Sequence, residues 1–145
     1  MLRGGCPRHR ANEGTEAAAM GVCIDGAGLS IPDVVAVARG GASVSLDLDA
    51  RRRIDRASAY VDTLLRRERP VYGVTTGFGR FADIVISPDD SATLQRNLLL
   101  SHASGVGELL PNEVVRAILL LRANALACGY SGARAEVVDT LIAML

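Results

Sequence analysis

The sequence predicts a mainly α-helical fold, with minor short strands near the N-terminus. Five segments carry apolar residues at helical spacing, and several of them begin with a recognised helix-capping pattern. The 145 residues are 49% hydrophobic, which is enough to build one ordinary core. We therefore expect helices packed around a single core.

The N-terminal third contains a polar leader, one short strand and one helix. Residues 1–19 are polar and aperiodic, so we predict a disordered leader, with translation beginning at Met1 or Met20. Residues 21–24 suit a strand, and the following Asp25-Gly26 suits a turn. A helix should begin at Ser30, because Ser30 and Asp33 have capping-box spacing, and it should stop at the glycine pair 40–41.

The middle of the chain combines an amphipathic helix with a glycine-rich loop. From about Asp49 to Glu68 apolar side chains fall on one helical face and charged ones on the other. Pro70 ends that pattern. The loop from Tyr72 to Gly79 contains three glycines and should be tight and exposed.

Three more helices are predicted in the C-terminal half. Ser87 and Pro88 are typical of a helix start, and that helix should reach about His102. The next runs from Pro111 to Cys128 and is apolar on nearly every side, so it should be buried all round. The last, residues 133–145, is still amphipathic where the sequence stops, so we expect either a fragment or partner chains that cover it.

Composition excludes several functions. The 16 basic residues, all Arg, balance the 16 acidic ones without forming blocks, so we expect no nucleic-acid or membrane partner. No apolar run is long enough to cross a bilayer. Three widely spaced cysteines and two histidines make neither a disulfide framework nor a metal site. A cytoplasmic protein fits these features best.

Considered alone, the candidate site residues have ordinary structural interpretations. The glycine-rich loop lacks the Lys of a phosphate-binding loop. Tyr72 could act as an acid or base only if its phenol were tuned well below its usual pKa of about 10, so a packed tyrosine is favoured. His102 suits a structural role at a helix C-terminus. Ser101 and Ser104 lack the pattern of a hydrolase nucleophile.

Three sequence blocks change this interpretation. Residues 71–79 read VYGVTTGFG, residues 94–98 read LQRNL, and residues 101–107 read SHASGVG. Shorter agreements follow in the same order at residues 115–117, 121–124 and 129–132, and weak similarity extends back to about residue 22. Together these blocks resemble the aromatic amino acid ammonia-lyase family. The resemblance implies that residues 20–145 are the N-terminal, incomplete part of its lyase domain.

The resemblance assigns roles to three residues. Tyr72 occupies the place of the base that removes the substrate's β-proton. His102 occupies a position beside the substrate side chain, and Gly79 falls within the substrate-binding loop. The pair Ser101-His102 resembles the histidine-specific members, so L-histidine is the favoured substrate.

The family's electrophilic cofactor, methylideneimidazolone, forms from an internal Ala-Ser-Gly triad. Ala103, Ser104 and Gly105 spell that triad, but they lack the Asp-Leu and proline that normally follow it. We therefore judge that these residues are not the cofactor-forming triad, which we expect beyond Leu145.

The resemblance implies a homotetrameric parent that converts L-histidine to urocanate and ammonia, with no metal or diffusible cofactor. The chain by itself is expected to be inactive. Two alternatives remain open: part of a tyrosine or phenylalanine ammonia-lyase or aminomutase, and a non-catalytic helical oligomerisation module.

Overall fold

The computed structural model describes residues 21–66 and 70–145, so the leader predicted at 1–19 lies outside the described residues. The prediction of a mainly α fold with short N-terminal strands is confirmed. The elements, in chain order, are β1 (Val22–Ile24), α1 (Ile31–Ala38), β2 (Val44–Leu46), α2 (Leu48–Leu65), a short 3-10 helix (Gly79–Phe81), α3 (Pro88–His102), α4 (Asn112–Ala127) and α5 (Ala135–Ala143).

The predicted helix starts of α1 and α3 are present. The Ser30 hydroxyl accepts a hydrogen bond from the Asp33 amide at 3.3 Å, and the Asp33 carboxylate accepts one from the Ser30 amide at 2.9 Å. Ser87 caps α3 in the same way, accepting from the Asp90 amide at 3.1 Å. These contacts satisfy amides that have no partner within their helix.

The sheet contains a strand that periodicity alone did not reveal. β2 pairs in parallel with β1, with Val22 opposite Val44 and Ile24 opposite Leu46, and α1 lies in the connection between them. Three residues are too few to show a recognisable alternation, so β2 is identifiable only through its partner.

The described residues form two compact units, one from residues 21–58 with 110–145 and the other from residues 59–109. The core lies in the first unit. Its fully buried large side chains come from β1, α1, α2, α4 and α5: Ile24, Val37, Ile54, Leu120 and Val138.

Polar side chains on α4 fasten other elements of the first unit to it. The Arg116 guanidinium donates to the Val37 carbonyl at 2.9 and 3.2 Å, near the end of α1. The Asn124 side chain accepts from the Gly26 amide at 3.0 Å. The Arg116 and Asn124 side chains therefore provide hydrogen-bond partners for backbone groups near the ends of α1 and β1.

The expectation that the helix after Pro111 is buried all round is wrong for this chain. Leu120, Ala123 and Ala127 are buried, yet Ile118 and Leu121 are each 52% exposed. One face of α4 packs against α1 and α5, whereas Ile118 and Leu121 on the opposite face are about half exposed.

Helix ends differ slightly from expectation. α2 ends at Leu65, and the last residues predicted for it lie partly in the segment 67–69, outside the described residues. α5 begins at Ala135, two residues later than predicted. Among the described helices, none has the length and apolar character needed to cross a membrane.

Candidate functional site

The loop that begins at Tyr72 is ordered by backbone and hydroxyl contacts. The amides of Val74 and Thr75 donate to the Val71 carbonyl at 3.0 and 2.9 Å. The Thr75 hydroxyl accepts from the Val71 amide at 2.7 Å, which closes the turn from the other side. Hydrogen bonds from Val74 and Thr75 to Val71 therefore fix the start of the loop.

Thr76 anchors the loop at its centre. It is 3% exposed, and its hydroxyl accepts from the Gly73 amide at 3.2 Å and donates to the Gly77 carbonyl at 3.1 Å. Thr76 also forms an isolated antiparallel bridge with Val85. A buried hydroxyl needs partners, and Thr76 finds them in the loop's own backbone. Sequence reasoning did not single out this residue.

Two glycines of the loop are required by close approaches. A side chain at Gly77 would place its Cβ 2.7 Å from Phe81 Cβ and 3.0 Å from the Phe81 carbonyl oxygen. Gly73 has a φ of +71° and faces the Phe78 ring, 3.1 Å from where a Cβ would lie. These contacts agree with the expectation of a tight loop. The expectation that the loop is exposed is wrong for its centre, because Thr76 and Gly77 are buried and their neighbours are partly buried.

Tyr72 lies at the surface of this loop and is 64% exposed. It meets Phe78 edge to face, with ring centroids 5.9 Å apart and planes at 77°. This is the favoured geometry for an aromatic pair. Phe78 therefore limits the positions that the Tyr72 ring can take.

Phe78 also lines a cleft of about 540 Å³ within residues 59–109. The cleft is formed with α3 and the residue that follows it, through Leu98, Leu99, His102 and Ala103. His102 is the polar side chain in an otherwise apolar lining. Such a surface suits a small ligand with a flat apolar part and one polar group.

The structure brings together some of the predicted site residues. His102 lines the cleft, and Tyr72 contacts Phe78, which lines it too. Gly79 begins the 3-10 helix at a φ of +56° and does not line this cleft. Phe78, Leu98 and Leu99 were missed, although their signal was available: Leu98 and Leu99 precede His102 by four and three residues, on the same helical face.

His102 ends α3 and is held by that helix. Its Nδ1 lies 2.9 Å from the Leu98 carbonyl oxygen and 2.9 Å from Ser101 Oγ. The Ser101 hydroxyl also donates to the Leu98 carbonyl at 3.0 Å. These contacts engage one ring nitrogen and leave the other free of the helix.

Ala103, Ser104 and Gly105 follow the end of α3 and are all exposed. A tight turn is centred on Ala103, with φ −78° and ψ 65°, and the Ser104 amide donates to the His102 carbonyl at 2.8 Å. The prediction that these residues are not the cofactor-forming triad rests on the residues that follow them in the sequence.

Within the described parts of the chain, no group of three or more His, Cys, Asp or Glu side chains could hold a metal ion. In the first unit, Asp139 accepts a hydrogen bond from Arg51 and raises the pKa of that guanidinium. This pair lies in a different unit from the cleft.

Comparison with known proteins agrees with these features. The aromatic amino acid lyase family model matches residues 29–145. A histidine ammonia-lyase of Symbiobacterium thermophilum is 58% identical over 120 residues, and one of Caldanaerobacter subterraneus is 54% identical over 124. The alignments cover 83% and 86% of this chain but 24% of each relative, so the chain spans about a quarter of their length.

Solved structures show the same fold. A histidine ammonia-lyase from Trypanosoma cruzi superposes with a TM-score of 0.75 at 36% identity, covering 85% of this chain and 23% of that one. An ergothionase from Treponema denticola gives 0.79 at 37%, with 83% and 24% covered. A tyrosine aminomutase from Streptomyces globisporus gives 0.80 at 31%, with 86% and 24% covered. On its loop, its cleft and these matches, the chain belongs to the aromatic amino acid lyase family.

Proposed function

We propose that this chain supplies the base-bearing loop and part of the substrate cleft of an enzyme that converts L-histidine to urocanate and ammonia. One observation carries the proposal. His102 and Phe78 both line the cleft, and Phe78 also contacts Tyr72. Support for histidine as substrate comes from the relatives, which are histidine ammonia-lyases at up to 58% identity.

The reaction requires a base close to the substrate's β-carbon. The base takes a β-proton, the C–H electron pair forms the Cα–Cβ double bond, and the Cα–N bond breaks to release ammonia. Tyr72 is the proposed base, since the residue is largely exposed and its ring contacts Phe78. A positioned base of this kind contributes about 10²–10⁴ in rate.

Substrate binding is assigned to the cleft. The leucine and phenylalanine side chains would receive the flat part of the imidazole ring, and His102 would pair with one of its nitrogens. The Gly79 assignment rests on its place in the loop, where a positive φ lets the chain turn into the 3-10 helix.

The methylideneimidazolone electrophile that the family implies would come from sequence outside these 145 residues. Ala103, Ser104 and Gly105 lack the residues that normally follow the family's cofactor triad, so we propose that they do not form it and that the isolated chain makes no urocanate. We further propose a cytoplasmic homotetrameric parent. The exposed apolar face of α4, including Ile118 and Leu121, supports burial against additional protein in that assembly.

A chimera tests the proposal. The 120 aligned residues of this chain replace the corresponding quarter of the Symbiobacterium relative, and urocanate is followed by its ultraviolet absorbance. The chimera should form urocanate. Tyr72→Phe should lower kcat by about 10²–10⁴ while KM changes little, because the phenyl ring keeps its packing and loses the base.

Tyr60→Phe is the matched control, since Tyr60 is an exposed tyrosine on α2 and should leave the rate unchanged. A folded chimera that forms no urocanate would refute the proposal. So would a Tyr72→Phe variant as active as its parent.

A second substrate class has a specific observation in its favour. The tyrosine aminomutase superposes as well as the other neighbours, and a ligand-bound mutant of a tyrosine aminomutase gives the same TM-score of 0.80. If the chimera consumed L-tyrosine or L-phenylalanine faster than L-histidine, this alternative would replace the histidine assignment.

A further inference from the structure

The Ser101 hydroxyl, the His102 ring and the Leu98 carbonyl form a closed triangle at the end of α3. The three separations are 2.9 Å from Nδ1 to the carbonyl oxygen, 2.9 Å from Nδ1 to Ser101 Oγ and 3.0 Å from Oγ to the carbonyl oxygen. Each lies within hydrogen-bond range, so the protons must be placed to make every contact attractive.

The carbonyl oxygen decides where the protons are. It has no hydrogen to give, so an unprotonated Nδ1 would put two lone pairs 2.9 Å apart. A protonated Nδ1 instead donates to the carbonyl and shares its proton with Ser101 Oγ. The Ser101 hydroxyl then donates its single proton to the Leu98 carbonyl oxygen, as it does in the structure. No other arrangement of a neutral ring satisfies all three contacts.

We propose that Ser101, together with the Leu98 carbonyl, is a positioning residue that fixes neutral His102 with its proton on Nδ1. Nε2, on the opposite side of the ring from the helix backbone, then carries a lone pair and serves as the cleft's hydrogen-bond acceptor. Ser101 acts through His102 and need not touch the substrate.

The consequence for substrate choice rests on the proposed function. It concerns the class of substrate that the cleft accepts. An acceptor at Nε2 selects a flat side chain that carries an N–H or O–H donor. The imidazole ring of histidine has such a donor, and the phenyl ring of phenylalanine has none. A ligand that lacks the donor leaves Nε2 without a hydrogen-bond partner, and this strongly disfavours its binding.

The tautomer can be measured without any substrate. The ¹⁵N-labelled 145-residue chain is examined by long-range ¹H–¹⁵N imidazole correlation at about pH 8.5, above the ordinary titration range of histidine. The chain has two histidines, so a His9→Gln variant assigns the His102 signals. His102 should show its proton on Nδ1.

Variants test Ser101 itself. Ser101→Ala should lower the ratio of the Nδ1–H to the Nε2–H form about five-fold, the factor that one ordinary hydrogen bond provides. Ser101→Thr keeps the hydroxyl and should restore the ratio. Ser104→Ala removes a nearby exposed hydroxyl and should leave it unchanged.

An Nε2–H form in the unaltered chain would overturn the inference, as would a ratio that Ser101→Ala leaves unchanged. A merely structural serine would change the melting temperature without changing the tautomer. The chimera assay reports separately on histidine turnover. The proposed function can therefore fail while the tautomer assignment stands, and the tautomer assignment can fail while the proposed function stands.

Discussion

The two compact units differ in how they are held together. All the buried apolar side chains among the described residues belong to residues 21–58 and 110–145, with Leu120, Val37 and Val138 fully enclosed. In residues 59–109 the buried polar residue is Thr76, while Tyr72, Leu99 and Leu100 are largely exposed. One unit is maintained by hydrophobic packing and the other by loop hydrogen bonds and helix capping.

The difference shows how stability and chemistry are distributed. Burial of large aliphatic side chains dominates folding free energy, so the first unit should account for most of the chain's stability. The second unit places its aromatic, histidine and leucine side chains where a ligand can reach them. Side chains that serve a cleft cannot also be enclosed in a core.

The largest expected effect is a cavity in the first unit. Leu120→Ala should lower the free energy of unfolding by about 2–5 kcal/mol, because Leu120 is 0% exposed among tightly packed neighbours. Chemical denaturation followed by circular dichroism would measure the loss. The adjacent Leu121→Ala, at a position 52% exposed, should cost far less. Equal losses for the two variants would contradict the conclusion that burial of large aliphatic side chains stabilises the first unit.

A smaller effect is expected from the buried hydroxyl of the second unit. Thr76→Val keeps the shape and removes the acceptor of the Gly73 amide, so local stability should fall by about 2 kcal/mol. Hydrogen exchange at the Gly73 amide should accelerate about thirty-fold. Thr63→Val, which removes an exposed hydroxyl from α2, should leave that amide unaffected. Unaltered exchange in Thr76→Val would show that packing, not hydrogen bonding, orders the loop.

The smallest effect concerns the ion pair of the first unit. Asp139 raises the pKa of Arg51 above its ordinary value, so the stabilisation is present at neutral pH and is lost only as the pH rises through the raised pKa. Both side chains are partly exposed, so Asp139→Asn should cost at most about 1 kcal/mol. The cost should be constant from about pH 6 to 9 and shrink in 1 M salt. A large, salt-independent loss would show that surface charge matters as much as the core.

The predictable elements were those with strong local chemistry. Ser30 and Ser87 capped the helices that they were expected to begin, because capping depends on residues only three positions apart. The tight loop was predictable for the same reason, since its glycines act within a few residues. β2 was not, because a three-residue strand is defined by its partner β1.

The candidate site was predictable in part. Sequence resemblance pointed to Tyr72 and His102, and the blocks that carry them are distinctive. It did not reveal Phe78 as the residue that contacts Tyr72 and lines the cleft, nor Thr76 as the buried support of the loop. Ring geometry and burial depend on where the chain brings neighbours together.

The sequence by itself determined the family, the helical character and the turn at the Tyr72 loop, since motifs, caps and glycines act over short distances along the chain. Only the tertiary structure decided which face of α4 is covered, and that an apolar cleft opens beside His102. Both outcomes depend on packing between residues that are distant along the chain, which residue order does not express.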